Sequence, residues 1–284
     1  MKNAWTGGQY SMIRAIVGLC LFVFFLSRLD VTSVFAIAAV FFAIGWFDRI
    51  AAIVLWCGLA WVYWLTPVML LSSPLLIHAF LPPAPFLSLA ARGRVDPRGN
   101  WSFPPALFTT AWIAVILGWL AMLVAPVDFN PLLVCLHLFL FNPAWVPRRA
   151  PETTDDVFYD GTCGLCHSGM RWLVAEDPTG TSFRYAPLGG DAFAAAFPDA
   201  TNLPDSVIVK AASGAVLVRS DAALHLLSRL GGFWRIGGAL FGVLPQKVRD
   251  AMYDVVARVR YRIFGRKKDA CPLMPPDLRS RFTV

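Results

Sequence analysis

Apolar residues run almost unbroken through the first half of the chain and then give way to short alternating stretches. Apolar segments lie at about 12–27, 31–47, 50–66, 68–81, 107–125 and 131–146. Arg28-Leu29-Asp30, Asp48-Arg49, Thr66-Pro67, a loop over 82–105 and a second loop over 126–130 separate them. Such runs predict membrane helices, although several fall short of the roughly 20 residues that cross a bilayer at full thickness. Six short spans are expected, with four or five left open by Pro67, which removes a backbone donor and breaks or kinks the stretch over 50–81.

After about residue 147 the period changes. Strands are predicted at 157–159, 182–186, 206–210 and 215–219, and helices at 164–176, 190–196, 221–230 and 246–264. Ala211-Ala212-Ser213-Gly214 signals a hairpin between the last two strands. This alternation predicts an α/β unit of thioredoxin-like form. The expected organisation is a helical transmembrane domain over 1–147, a Pro-containing linker over 148–155, and a thioredoxin-like domain with a basic C-terminal helix and tail over 156–284.

Composition sharpens the division. The chain has 57% hydrophobic and 15% charged residues, with a mean hydropathy of +0.58, too apolar for an ordinary soluble protein. Residues 1–147 hold 7 Lys+Arg and 4 Asp with no Glu, and residues 148–284 hold 18 Lys+Arg and 14 Asp+Glu. The net charge of +7 therefore divides into +3 and +4, too modest to require a nucleic-acid partner. The first apolar run lacks a following small-residue cleavage site, so a cleaved signal peptide is not expected.

With six spans and a cytoplasmic N-terminus, Lys2, Arg14, Arg49, Arg92, Arg94, Arg98, Arg148 and Arg149 fall inside and only Arg28 outside, the asymmetry of the positive-inside rule. The expectation is an integral protein of an inner or plasma membrane, with the lipid bilayer as a partner and the C-terminal domain in the cytoplasm. No Asp, Glu or Lys lies deep within a predicted span, so no proton or ion path is expected there. His78 and His137 are expected as singly hydrogen-bonded histidines near span ends.

Chemistry concentrates in Asp160-Gly161-Thr162-Cys163-Gly164-Leu165-Cys166-His167. A strand delivers two cysteines to the first turn of a helix, whose electropositive N-terminus favours a thiolate. Cys163, expected to be the more exposed, is the candidate nucleophile, and Cys166 the resolving thiol. Asp160 is either a proton-transfer group whose pKa desolvation raises, or the residue that shapes the turn. Pro204, ahead of the strand facing the dithiol, is a candidate cis proline. Cys20, Cys57 and Cys135 read as inert thiols in apolar runs.

Three alternatives stay open at this level. Cys163, Cys166, His167 and Cys271 offer four ligands for a structural zinc. The Cys-x-x-Cys-His order also matches a c-type haem attachment motif, with Met170 or Met274 as a distal ligand. A non-enzymatic domain binding a partner through the same surface is the third. The leading expectation has no cofactor and no resident metal.

Tyr159-Asp160-Gly161-Thr162-Cys163-Gly164-Leu165-Cys166, Pro204-Asp205-Ser206-Val207-Ile208-Val209, Ser220-Asp221-Ala222-Ala223, Leu230-Gly231-Gly232, and the arginine-rich run from Tyr253 to Arg266 with Cys271 together resemble the DCC family, named for its Asp-x-x-Cys-x-x-Cys signature. The resemblance implies a thiol-disulfide oxidoreductase acting on a disulfide-containing protein or small thiol, and a functional third thiol at Cys271. Val259 departs from it, since relatives carry asparagine between two arginines. The membrane half is only loosely similar to DoxX-like domains. On the helix over 246–264, Val248, Met252, Val255, Val256, Val259 and Ile263 share one face, and Arg258, Arg260, Arg262, Arg266, Lys267 and Lys268 are expected to touch lipid headgroups or a partner.

Overall fold

The computed structural model describes residues 3–128, 130–177, 179–198, 203–267, 272 and 274–283. The chain divides into two compact units: residues 1–94 with 99–142, and residues 143–284 with 95–98.

The first unit is helical. Its helices are α1 (Gly7–Leu26), α2 (Phe35–Ile44), α3 (Asp48–Tyr63), α4 (Val68–Leu71), α5 (Ser73–His78) and α6 (Pro105–Val124), followed by a 3-10 helix at Pro131–Leu140. Thr6 starts α1 by accepting the Gln9 N–H with its side chain, which satisfies one of the orphan amides of a helix start. A proline in the first turn starts α6, where its missing N–H costs nothing.

Among the described residues two helices, α1 and α6, are long and apolar enough to cross a membrane, against the six spans expected from hydropathy. The difference lies in where the apolar runs break. Gly45, in the left-handed region at φ 71°, ends α2 after ten residues. The stretch over 68–81 is divided into two short helices, and the last run is a ten-residue 3-10 helix.

Polar side chains of this unit pair with one another away from solvent. Asp48 is buried at the start of α3, where Arg14 donates to it at 2.9 Å. His78 hydrogen-bonds through Nδ1 to the Tyr10 hydroxyl, and its Nε2 lies 3.5 Å from the same carboxylate. Charged groups adjacent to loops in sequence are thus folded inward and neutralise one another, as buried charges must. His137 accepts from Trp119 Nε1 at 2.8 Å.

The second unit is α/β. Its elements are β1 (Asp155–Tyr159), α7 (Gly164–Glu176), β2 (Phe183–Pro187), α8 (Asp191–Ala196), β3 (Ile208–Lys210), β4 (Val216–Val218), α9 (Arg219–Leu230), α10 (Gly232–Gly242), α11 (Gln246–Phe264) and α12 (Pro276–Arg279). The sheet order is β2-β1-β3-β4. β1 runs parallel to β2 and antiparallel to β3, and β3 and β4 form an antiparallel hairpin. Gly214, at φ 86°, closes that hairpin.

Alternation along β1 sorts the two faces of the sheet. Val157 and Tyr159 enter a core with Leu173 and Val174 of α7, Leu226 of α9 and Phe282. Phe158 points the other way, with Ile208 and Ala186, onto Phe193 of α8 and Phe197. Burial on both faces explains why β1 reads as a short continuous apolar run.

The stretch expected to be a linker is held by the second unit. Arg229, itself buried, donates to Asp155 at 2.8 Å and to the carbonyls of Arg149, Ala150 and Thr153. Arg148 donates to the buried Asp177 at 2.8 Å. These bonds satisfy chain carbonyls that would otherwise need water.

Candidate functional site: a dithiol under a backbone strap

β1 ends at Tyr159 and the chain turns through Asp160. Asp160 Oδ1 accepts the Thr162 N–H and hydroxyl, both at 2.8 Å, an Asx turn that sets the direction of the following helix. Cys163 is the N-cap residue of α7, and its Sγ accepts the Cys166 N–H at 3.3 Å. Negative charge on that sulfur is met by a backbone amide and the positive end of a helix.

Exposure is the reverse of that expected. Cys163 is 0% exposed, whereas Cys166 is partly exposed. The cause is a strap of extended backbone following α11. Gly164 N donates to the Gly265 carbonyl at 3.1 Å and Lys267 N to the Thr162 carbonyl at 2.8 Å, so that Cys163 pairs with Arg266 in an antiparallel bridge. Gly164 permits this approach: a Cβ there would stand 2.2 Å from the Phe264 carbonyl oxygen.

Cys166 opens onto a cavity of about 370 Å³ between α7, α9 and α11. Burial raises its thiol pKa, and the neighbouring Cys163 sulfur and Asp160 carboxylate add to the rise. Both cysteines are free thiols.

Asp160 Oδ2 faces α11. It accepts from the Tyr261 hydroxyl and, at 3.1 Å, from Arg260. Arg260 also donates to Asp205 Oδ2 at 2.8 Å. Burial alone would raise the Asp160 pKa, but hydrogen bonds from Tyr261 and Thr162 and the charge of Arg260 outweigh it, so the carboxyl is held below its ordinary value. The turn-forming reading of Asp160 is the one its hydrogen bonds to Thr162 describe.

Pro204 leads into β3, and no cis peptide occurs among the described residues, so the Leu203–Pro204 bond is trans. The chain reverses instead through a tight turn in which Ser206 N donates to the Pro204 carbonyl at 2.8 Å. Beyond it, Val207 N donates to the Tyr253 hydroxyl at 2.9 Å.

The basic residues assigned to lipid do not act together. Arg260 is buried, 6% exposed, in the ion pairs just described. Arg258 and Arg262 are exposed, and the Arg266 guanidinium lies 4.4 Å from the centre of the Tyr261 ring. Lys268 and Cys271 fall outside the described residues.

The zinc and haem readings meet atoms already in use. His167 is buried, with Nε2 bonded to the Gly161 carbonyl at 2.8 Å, and Met170 and Met274 lie in the core. One donor from each of Asp160, Cys163 and Cys166 does lie within 4.8 Å of the others.

Sequence reasoning gave no role to Tyr261 and Tyr253, and placed Arg260 outside. The signal was present: positions 253, 257, 260 and 261 recur at i, i+4, i+7 and i+8, the spacing of one helical face.

Residues 157–266 match the family model for DCC1-like thiol-disulfide oxidoreductase. YuxK of Bacillus subtilis, an uncharacterised protein, is 31% identical over 130 residues, covering 44% of this chain and 91% of that protein. The chain belongs to the DCC1-like family. A chloroplastic DCC family protein of Arabidopsis thaliana is 27% identical over 135 residues, 45% of this chain and 77% of its own length. No solved structure matches. The DCC1-like match begins at Val157, within β1, and ends at Arg266, in the strap over Cys163.

Proposed function

We propose that this chain is a membrane-anchored thiol-disulfide oxidoreductase whose mixed disulfide with substrate forms on Cys166, with Cys163 as the internal partner. The observation that carries the reading is the division of labour in the dithiol. Cys166 is the sulfur that a cavity reaches, and Cys163 is the covered sulfur, which accepts a backbone amide at the helix start. In a Cys163–Cys166 disulfide, an incoming thiolate attacks Cys166, the sulfur the cavity reaches, and expels Cys163. The reverse reaction passes through the same intermediate. This exchanges the roles first assigned from sequence.

A thioredoxin-like arrangement is supported by the sheet order, by one parallel and two antiparallel pairings, and by the dithiol at the first helix N-terminus. Membrane anchoring is supported by α1 and α6, and by apolar side chains that α6 turns outward, among them Ile113, Leu120 and Leu123, a surface that water does not favour. The positive-inside bias supports a cytoplasmic second unit.

Helix α11 adds to this picture because its polarity is inverted. Arg249 and Arg260 face inward, while Val248, Met252, Val255 and Ile263 are exposed. With Arg258 and Arg262 beside them, those side chains suit an anionic lipid surface. In anionic proteoliposomes, a photo-crosslinking side chain at position 255 is expected to capture lipid; capture of protein alone would contradict lipid contact.

A metal-binding reading is favoured by the closeness of Asp160, Cys163 and Cys166, and opposed by the donors that already occupy both Asp160 oxygens. The two readings separate in the purified full chain. Stoichiometric exchange with a test disulfide that disappears in Cys163→Ser/Cys166→Ser supports the oxidoreductase. Stoichiometric zinc without exchange supports the alternative.

A further inference from the structure

We propose that the cavity beside Cys166 seats the uncharged, apolar part of a small thiol or disulfide, so that the substrate class is a low-molecular-weight apolar or aromatic thiol rather than an anionic one such as glutathione. This rests on the reading that Cys166 carries the mixed disulfide.

Three observations carry it. The cavity, at about 370 Å³, lies within the range of small-molecule sites, and its walls include Leu165, Met170, Trp172, Leu226 and Val256. Its ionic rim beside the thiol holds two carboxylates, Asp160 and Asp205, against one guanidinium, Arg260, which is bonded to both. Among the described residues that line the cavity, no cation is left unpaired to receive a substrate carboxylate, and the two carboxylates disfavour one there. Third, Gly169 stands three residues after Cys166 and lines the same cavity, and a Cβ there would meet nothing within 4 Å. A glycine inside a helix costs about 1 kcal/mol relative to alanine; here it leaves open volume next to the reactive sulfur.

The chemistry balances within the couple. A substrate thiolate R–S⁻ attacks Cys166 Sγ of the Cys163–Cys166 disulfide; the Cys166–S–S–R bond forms, the Cys163–Cys166 bond breaks, and Cys163 leaves as a thiolate. A second R–S⁻ attacks the substrate sulfur of that bond, giving R–S–S–R and the Cys166 thiolate. Two electrons pass from two thiols to the protein disulfide, and the two protons given up by the thiols end on Cys163 and Cys166.

The test is the single-turnover reduction of the oxidised full chain by benzyl mercaptan and by glutathione, each rate expressed per thiolate. Benzyl mercaptan is expected to be faster by at least about tenfold, the equivalent of burying roughly two methylene groups. In Gly169→Leu, which fills the open volume, the ratio of the two rates is expected to fall several-fold, a change that general loss of activity does not produce. Equal rates in the wild type, or a ratio unchanged in Gly169→Leu with its unfolding midpoint intact, overturns the substrate class while leaving the oxidoreductase standing. Failure of both thiols, and of 2-mercaptoethanol, overturns the oxidoreductase reading and this inference with it.

Discussion

Tyr261, on the last turns of α11, donates its hydroxyl hydrogen to Asp160, three residues before Cys163. This bond joins the C-terminal helix to the turn that positions the dithiol. In Tyr261→Phe, Asp160 keeps Arg260 and Thr162 but loses one donor, a change of about 1.5–3 kcal/mol for a bond to a charged acceptor. The expected result is a lower unfolding midpoint and slower exchange at unchanged secondary structure; an unchanged midpoint would contradict the bond's role.

Asp160 also sets an acid limit. Its folded pKa is depressed, so the stability it contributes is present above the unfolded value, near 3.9, and is lost as the pH falls through the lower folded value. Comparing wild type with Asp160→Asn, the difference in unfolding free energy should be full at pH 7 and shrink below about pH 4. A difference that grows on acidification would contradict this sign.

Arg260 separates the buried cluster from the lipid surface. Arg260→Leu leaves Asp160 and the exposed Asp205 without their common partner and is expected to cost about 1–3 kcal/mol, seen in thermal unfolding. Arg258→Ser with Arg262→Ser, both on the exposed side, is expected to change unfolding by less than about 0.5 kcal/mol, and to weaken only the lipid capture described above. Equal destabilisation by both variants would place Arg260 outside the cluster.

Gly164→Ala tests the strap. Its Cβ would overlap the Phe264 carbonyl, so the Gly265–Lys267 segment must move or the fold must strain by about 1–3 kcal/mol. Alkylation of Cys163 in the folded protein should accelerate. An unaltered rate with unaltered stability would show that the strap does not cover the sulfur.

Much of this arrangement is legible in the sequence because local signals agree with the fold. Helix α7 spans 164–176 and α11 spans 246–264, both as predicted, since each has a defined start and a consistent apolar period. Helix α10 was missed: Gly237, Gly238 and Gly242 interrupt its pattern, and its signal was Phe233, Trp234, Ile236 and Leu240. The inward position of Arg260 was not legible, because an apolar stripe is ordinarily the buried one, whereas here ionic bonds of Arg260 to Asp160 and Asp205 and of Arg249 to Asp221 hold an arginine face of α11 against the domain. The order of exposure in the dithiol was not legible at all. It depends on a strap about a hundred residues away in sequence, and no local period reports a long-range backbone pairing.

The pH response of the thiols follows from the same geometry. Burial and the neighbouring sulfur raise the Cys166 pKa, so its alkylation should accelerate only well above pH 8.5, the ordinary cysteine value. Cys163→Ser should move that transition part of the way down, because burial, the larger cause, remains. Ordinary cysteine behaviour at Cys166 in the wild type would contradict the environment described.

The most direct test asks which sulfur carries the substrate. Each single serine variant of the full chain is mixed with a small mixed-disulfide reagent such as methyl methanethiosulfonate, and the adduct is located by peptide mass spectrometry. At a pH above the raised Cys166 transition, Cys163→Ser is expected to accumulate a stable adduct on Cys166 in full yield, while Cys166→Ser reacts at least about tenfold more slowly at the covered Cys163. Rapid adduct formation at Cys163 in Cys166→Ser, with an unreactive Cys166 in Cys163→Ser, would contradict the account and restore Cys163 as the attacking thiol.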